Sequence, residues 1–314
     1  MFQLFKKRNF NDLIGDTFIF FKLYGKHYFK NYLIINGGFL LVLLVLVFFV
    51  FKIFYEGLFS GLNSNMPENQ FEAFIMDNLV LFLGSGVLSV LLLLIITMIS
   101  YLYPVVYLDL LSKTKEFDTN DIIKRFKDKI GRVILFFILS LVIALPFLGL
   151  LFMLCFLLVF VLIGIPMLLI MIPAASAWLL LSFYHYIATD ADYFTSLSKA
   201  MQMLRNKFWP IVGSTFIMYL IIQTIVGIIS MIPYVIGIFS AFTSFQDPNT
   251  FDSQNAVSIM MISVMILFLL SVLLNFFMQN LLLVNNGVIY YSLREEAENN
   301  SPKNDIDLIG TQSE

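Results

Sequence analysis

The sequence predicts an all-α integral membrane protein, with six transmembrane helices arranged as three repeats of a cytoplasmic amphipathic helix followed by a transmembrane hairpin. Three observations predict it. The chain is 60% hydrophobic and 16% aromatic, and only 13% of its residues are charged, whereas soluble domains carry about 25% charged residues. Apolar runs of twenty or more residues recur along it, and about 20 residues cross the hydrocarbon core. The lysines and arginines, finally, gather in alternate connections between those runs.

The first thirty residues are charged at Lys6, Lys7, Arg8, Asp12, Asp16, Lys22, Lys26 and Lys30. The apolar run that follows is too long for a signal-peptide core, so no cleaved leader is expected. Within this segment Phe10, Leu13, Ile14, Thr17, Phe18, Phe21 and Tyr24 fall on one helical stripe, which predicts an interfacial helix over about 10–28. Lys22, Lys26 and Lys30 then lead into a first span over about 32–55. Lys52, near the outer end of that span, is placed to snorkel to the headgroups.

The second span is expected over about 79–108, closed at its inner end by Asp109. A second basic amphipathic helix follows over about 119–131. Asp118 is its candidate N-cap, Ile122, Ile123, Phe126 and Ile130 form its stripe, and Lys124, Arg125, Lys127, Lys129 and Arg132 form its basic side. From Val133 to Ile187 the chain is apolar for 55 residues, far too long for one crossing. It is divided into spans of about 133–162 and 167–187. The reversal is expected at Gly164-Ile165-Pro166, with Pro146 to Gly149 as the alternative.

The third basic segment, "YFTSLSKAMQMLRNKFWP", places Phe194, Leu197, Met201, Leu204 and Phe208 at offsets of 0, 3, 7, 10 and 14, again one stripe. Lys199, Arg205 and Lys207 are its bases, and it predicts an interfacial helix over about 194–208. Trp209 is an interfacial anchor and Pro210 a first-turn proline for a span over about 210–232. The last span is expected over about 257–288. The residues from 295 to 314 are polar enough to form a disordered cytoplasmic tail.

Orientation follows from the bases. The N-terminal segment holds six Lys/Arg, residues 109–132 seven, residues 188–209 three and the tail two, whereas the 56–78 and 246–256 loops hold carboxylates and no base. By the positive-inside rule both termini face the cytoplasm. The expected location is the plasma (inner) membrane of a bacterium.

Some of these residues resemble a known family. "YFTSLSKAMQMLRNKFWPIVGSTFIMYL" resembles the segment of the glycerophosphodiester phosphodiesterase membrane-domain family in which a basic helix ending in Phe-Trp leads into a span. "VIYYSLREEAE" is similar to that group's tyrosine-rich ending, and "DLIGDTFIFFKLYGKHY" to its opening helix in Bacteroidetes-type bacteria. The resemblance implies a six-span membrane module. It implies no reaction, because the phosphodiesterase activity of the family's namesakes sits in a separate barrel domain, for which this chain has no soluble stretch longer than about 25 residues.

Chemistry-bearing groups are few. Cys155 lies in an apolar run and has no second cysteine to pair with. His27 and His185, near Asp12, Asp16, Asp190 and Asp192, fit the membrane boundary better than a metal site, and no metal or other cofactor is expected. There is no Ser-His-Asp arrangement and no phosphate-cradling glycine loop. Ionisable residues deep in the spans are almost absent, which argues against ion or proton coupling. The uncharged polar residues Gln223, Thr224, Asn275, Gln279 and Asn286 form a candidate polar path. Asn275, Gln279 and Asn286 share one helical face and are expected mainly to hydrogen-bond between helices.

The function expected is therefore accessory and non-catalytic. The headgroup-facing set is Lys22, Lys26, Lys30, Lys124, Arg125, Lys127, Lys129, Lys199, Arg205, Lys207 and Trp209, presented to an anionic inner leaflet. The expected partners are the bilayer and a second membrane protein, and no basic cluster is large enough for nucleic acid. A carrier or channel for a small or lipid-like solute is the alternative.

Overall fold

The computed structural model describes residues 2–60, 76–114, 116–245 and 253–298. These form helices and short connections, with no strand among the described residues. In chain order the helices are α1 (Phe10–Ser60), α2 (Leu79–Lys113), α3 (Thr119–Leu139), α4 (Leu145–Leu157), α5 (Gly164–Thr189), α6 (Tyr193–Asn206), α7 (Phe208–Phe245) and α8 (Ser253–Glu298). Joining α3 and α4 head to tail, a π-turn over Ser140–Ala144 lets 119–160 count as one crossing. Six helical stretches are then long and apolar enough to span a membrane. The expected all-helical, six-span fold is present.

The three expected interfacial helices do not share one form. Residues 10–28 are the first turns of α1, which runs unbroken through the predicted span, and 119–131 likewise run straight on into theirs. Only 193–206 is a helix by itself. The reason is local. No proline stands between Phe10 and Tyr32, or between Thr119 and Leu139, so nothing interrupts the ladder of hydrogen bonds. Pro210, in contrast, would drive its ring into the carbonyl of Asn206 if the helix continued. The chain breaks instead at Lys207 (φ −137°, ψ 51°), and Pro210 lies in the first turn of α7.

Asp118 caps α3 as its sequence predicts. It accepts from the Asp121 amide at 3.0 Å, and Asp121 accepts from the Asp118 amide at 3.0 Å, a reciprocal box. Pro146 to Gly149, the alternative reversal, are helical: Pro146 lies in the first turn of α4, just after the π-turn, which the Leu145 amide closes by donating to the Ser140 carbonyl. The chain turns two residues ahead of the preferred site. A short 3₁₀ segment, Leu158–Val161, ends with Leu162 in the left-handed region (φ 62°), a conformation that costs a non-glycine residue about 1 kcal/mol. Gly164 then opens α5 with no side chain to spare. A Cβ there would stand 2.3 Å from the Cys155 carbonyl oxygen and 2.4 Å from the Val159 amide. Pro166 sits harmlessly in the first turn.

Helix α8 continues to Glu298, four residues into the segment expected as tail, because Glu295 is buried, Arg294 pairs with Glu298 at 2.7 Å, and Glu296 pairs with Lys207. The rest of the predicted tail, 299–314, lies outside the described residues, as do 61–75 and 246–252 of the two acidic loops.

The chain divides into two compact units, one of Met1–Asn31, Tyr101–Leu220 and Leu281–Glu314, the other of Tyr32–Ser100 and Ile221–Asn280. The first unit has an aromatic and polar interior. Tyr28, Tyr103, Tyr107, Tyr184, Tyr290 and Tyr291 are fully buried, and the Tyr103 hydroxyl donates to the Tyr28 carbonyl at 2.6 Å. Asn285 donates to the Leu13 carbonyl and to Thr17 Oγ1, and exchanges hydrogen bonds with Ser214. Ahead of α1, Arg8 is folded inward. Its guanidinium donates to the carbonyls of Gln3, Leu4 and Lys6 and pairs with Asp16 at 2.8 Å, while its amide donates to Ser292. Burial lowers the Arg8 pKa and Asp16 partly offsets it.

The second unit is mostly lipid-like surface, with Leu41, Val80 and Leu81 well exposed. Its interior polar groups are fewer. Asn36 donates to Tyr32 Oη and Ser100 Oγ, both at 3.0 Å, and Ser230 and Ser271 hydroxyls pair at 2.9 Å. Lys52 makes an i,i+4 pair with Glu56 at 3.7 Å.

Candidate functional site: a basic cleft at three helix ends

The basic segments carry two kinds of cation, which spacing alone does not separate. On α3 the buried stripe is Ile122, Phe126, Val133 and Phe136, while Ile123 and Ile130, expected to lie within it, are exposed. That rotation turns Arg125, Lys129 and Arg132, at i, i+4 and i+7, toward α2 and α5. Lys124 and Lys127 remain on the outside. On α1 the stripe is likewise rotated: Leu13, Thr17, Phe20 and Tyr28 are buried and Phe18 is exposed, leaving Lys22, Lys26 and Lys30 outward.

Helix α6 departs furthest from expectation. It buries Tyr193, Ser196, Ala200, Met203 and Leu204, and Trp178 of α5 donates through its indole to the Leu197 carbonyl at 3.0 Å. Of the predicted stripe, Phe194 is exposed and Leu197, Met201 and Phe208 are half-buried. The helix therefore lays one flank on the protein and offers the other outward, together with Trp209, which is 67% exposed. Asp192 caps it through the Thr195 amide, and hydrogen bonding by the Thr195 side chain and then by that amide lowers the Asp192 pKa. Arg205 is exposed, Lys199 donates to Gln202, and Lys207 is taken up by Glu296.

Arg125, Lys129 and Arg132 meet Asp109 and Lys113 from the end of α2 and Asp190 from the end of α5. Asp109 binds Lys113 at 2.6 Å and lies 4.0 Å from Arg125. Asp190 accepts from Lys129 at 2.5 Å and stands 3.3 Å from Arg132 Nε. Asp190 sits in the left-handed region (φ 57°), which Asp tolerates, and so ends α5 with its carboxylate turned to the cleft. Lys129, first through its hydrogen bond and then through charge, holds the Asp190 pKa below the ordinary carboxylate value. Arg132 is fixed hardest. It donates to the carbonyls of Tyr186 and Ala191, both at 2.6 Å, and lies 4.0 Å above the Tyr186 ring.

Four cations thus face two carboxylates, an excess of two positive charges. Lys113, Arg125, Lys129 and both carboxylates, but not Arg132, edge a cavity of about 110 Å³ whose apolar wall is Val105, Val106 and Ile187. Sequence reasoning placed Arg125 and Lys129 on the headgroup and missed this cluster. The i, i+4, i+7 spacing on α3, read together with Asp109 and Asp190 at span ends, was the signal.

The candidate polar path is not assembled as one. Gln223, Thr224 and Asn275 are exposed on the outer surfaces of their helices, Gln279 is half-buried, and Asn286 is buried with its amide donating to the Leu282 carbonyl. Asn275, Gln279 and Asn286 lie in one helix, α8, and periodicity does not say which neighbour their face meets. His27 is held by Tyr107 Oη at 2.9 Å and Asn31 at 3.1 Å. No group of three His, Cys, Asp or Glu side chains among the described residues could hold a metal ion. Cys155 is buried and contacts Met171.

No protein-family model, no curated protein and no solved structure matches the chain. The family resemblance rests on the quoted segments alone.

Proposed function

We propose that the protein is a non-catalytic, multi-pass protein of a bacterial plasma membrane that gathers anionic lipid at the inner leaflet, with both termini cytoplasmic. The observation that carries this reading is the interleaving of exposed cations with exposed apolar side chains on the three basic segments. Lys22 and Lys26 alternate with Phe18 and Leu23, Lys124 and Lys127 with Ile123 and Ile130, and on the third segment Phe194, Arg205 and Trp209 are all exposed. Such a surface suits the headgroup plane, where apolar groups sink and bases stay at the phosphates. Each base adds on the order of 1 kcal/mol of attraction near an anionic surface, screened by salt over about 10 Å at 0.1 M. A membrane-protein partner fits the same accessory role. The carrier reading loses ground, because three of its five polar residues face outward.

The test is lipid enrichment around the whole chain in nanodiscs of mixed phosphatidylglycerol and phosphatidylcholine. The expected result is a salt-sensitive excess of phosphatidylglycerol that falls when Lys22, Lys26, Lys124 and Lys127 are changed to Gln. Equal proportions of both lipids around the unmodified protein would refute the reading.

A further inference from the structure

We propose that the cleft between the ends of α2, α3 and α5 is a binding site for one phosphate group, presented by an anionic lipid or free in solution. The inference deepens the lipid reading above by distinguishing one seated headgroup from a diffuse surface layer, and it rests on that reading for its lipid source. Three observations carry it. The cluster has two positive charges in excess, set beside an apolar wall in which Val105, Val106 and Ile187 are buried. Arg125 is the least satisfied of the four cations: it stands 4.0 Å from Asp109, beyond hydrogen-bond reach, and so its donor fork is left for an acceptor such as phosphate. A space of about 110 Å³ lies in front of it, polar on the side of Lys113, Arg125 and Lys129 with Asp109 and Asp190 between them, and apolar on the side of Val105 and Ile187. A phosphate with a glyceryl ester attached has that same division.

Residues around the space have separable roles. Arg125 and Lys129 would bind the phosphate, Arg132 is a positioning residue clamped to the α5 end, and Asp190 competes with the anion for Lys129. Asp190 therefore sets the affinity from the opposite side, and neutralising it should tighten binding. Asn accepts the left-handed backbone that position 190 adopts, so Asp190→Asn is expected to keep the turn intact.

The test uses the full chain in detergent micelles. Phosphatidic acid is titrated against diacylglycerol, which has the same tails without the phosphate, and inorganic phosphate is titrated alone. Native mass spectrometry counts bound lipid, and phosphorus NMR reads the free ion. One phosphatidic acid per chain should be retained over diacylglycerol. Arg125→Gln with Lys129→Gln should weaken it at least tenfold, Lys124→Gln with Lys127→Gln, which removes only diffuse surface attraction, should weaken it less than threefold, and Asp190→Asn should tighten it severalfold. Inorganic phosphate bound with the same variant pattern would assign the site to the free ion as well, and its absence would assign it to the lipid. The inference is overturned if the outer-face pair weakens retention as much as the cleft pair, if diacylglycerol is retained equally, or if Asp190→Asn binds no tighter. The last arm holds even if the cleft pair fails to fold, since an unfolded protein does not gain affinity. Failure of the cleft with nanodisc enrichment intact would sink this site alone. Enrichment lost with the seated lipid kept would sink the surface reading alone.

Discussion

The two compact units hold themselves together by different means. The first buries an arginine, a glutamate, two asparagines of α8 and a set of tyrosines. Arg8, Asn285, Tyr103 and Tyr184 are hydrogen-bonded, while Glu295 Oε2, Asn286 Oδ1 and Tyr290 Oη have no hydrogen-bond partner among the described residues. Among its described residues the second buries little that is polar and turns many apolar side chains outward. In water that outward surface would be a liability, whereas against acyl chains it costs nothing. Because lipid offers no hydrophobic gain for packing helix on helix, the polar and aromatic contacts of the first unit are what select one arrangement there. Comparable substitutions in the two units should therefore differ in effect.

Arg8→Met should show the largest effect. It removes a buried cation from Asp16 and from three carbonyls, for a loss of roughly 3 kcal/mol in detergent unfolding. An unchanged midpoint would show that the N-terminal segment is merely laid on the surface. Glycines give the next contrast. A Cβ at Gly287 would meet Leu108 Cδ1 at 2.4 Å and the Tyr184 hydroxyl at 2.6 Å, and that hydroxyl is already committed to the Leu283 carbonyl. Gly287→Leu should cost about 2 kcal/mol by overpacking. Gly84→Leu in the second unit meets nothing within 4 Å and should not destabilise. Equal midpoints for the two variants would erase the distinction.

Asparagines sharpen it further. Asn285→Leu strips Ser214 of its acceptor and Thr17 of a donor, and should cost about 1–2 kcal/mol. Asn36→Leu leaves Tyr32 and Ser100 still bonded to each other at 2.9 Å, so its cost should stay below about 1 kcal/mol. The smallest effect is set by pH. Because Asp190 has a lowered pKa when folded, its contribution is complete above the unfolded value of about 3.9 and is lost as pH falls through the folded one. Asp190 is largely exposed, so Asp190→Asn should flatten only slightly the acid limb of the unfolding midpoint.

The coarse fold was legible because bilayer thickness imposes a length on every crossing, and six stretches meet it. The Asp118 cap and the first-turn Pro210 were legible because each is a local constraint written in one or two residues. The threefold repeat was not, since a basic amphipathic pattern reads alike whether its helix stops, as at Lys207, or continues, as at Tyr28 to Tyr32. Nor was the cleft. Periodicity places Arg125, Lys129 and Arg132 on one face, but only the packing of α2 and α5 brings Asp109 and Asp190 opposite them. The reversal was placed two residues late because its left-handed residue, Leu162, is a leucine, where a glycine or asparagine is the usual sign.

The inner-leaflet account stands or falls with orientation, since the same bases on the outer face would meet a different surface. The direct measurement is thiol labelling of intact cells with a membrane-impermeant reagent, in a Cys155→Ala background with one new cysteine at a time. Asp77→Cys, at the entry to α2, should label from outside, and Lys127→Cys on α3 should label only after permeabilisation. Efficient labelling of Lys127→Cys in intact cells, with none at Asp77→Cys, would contradict the account.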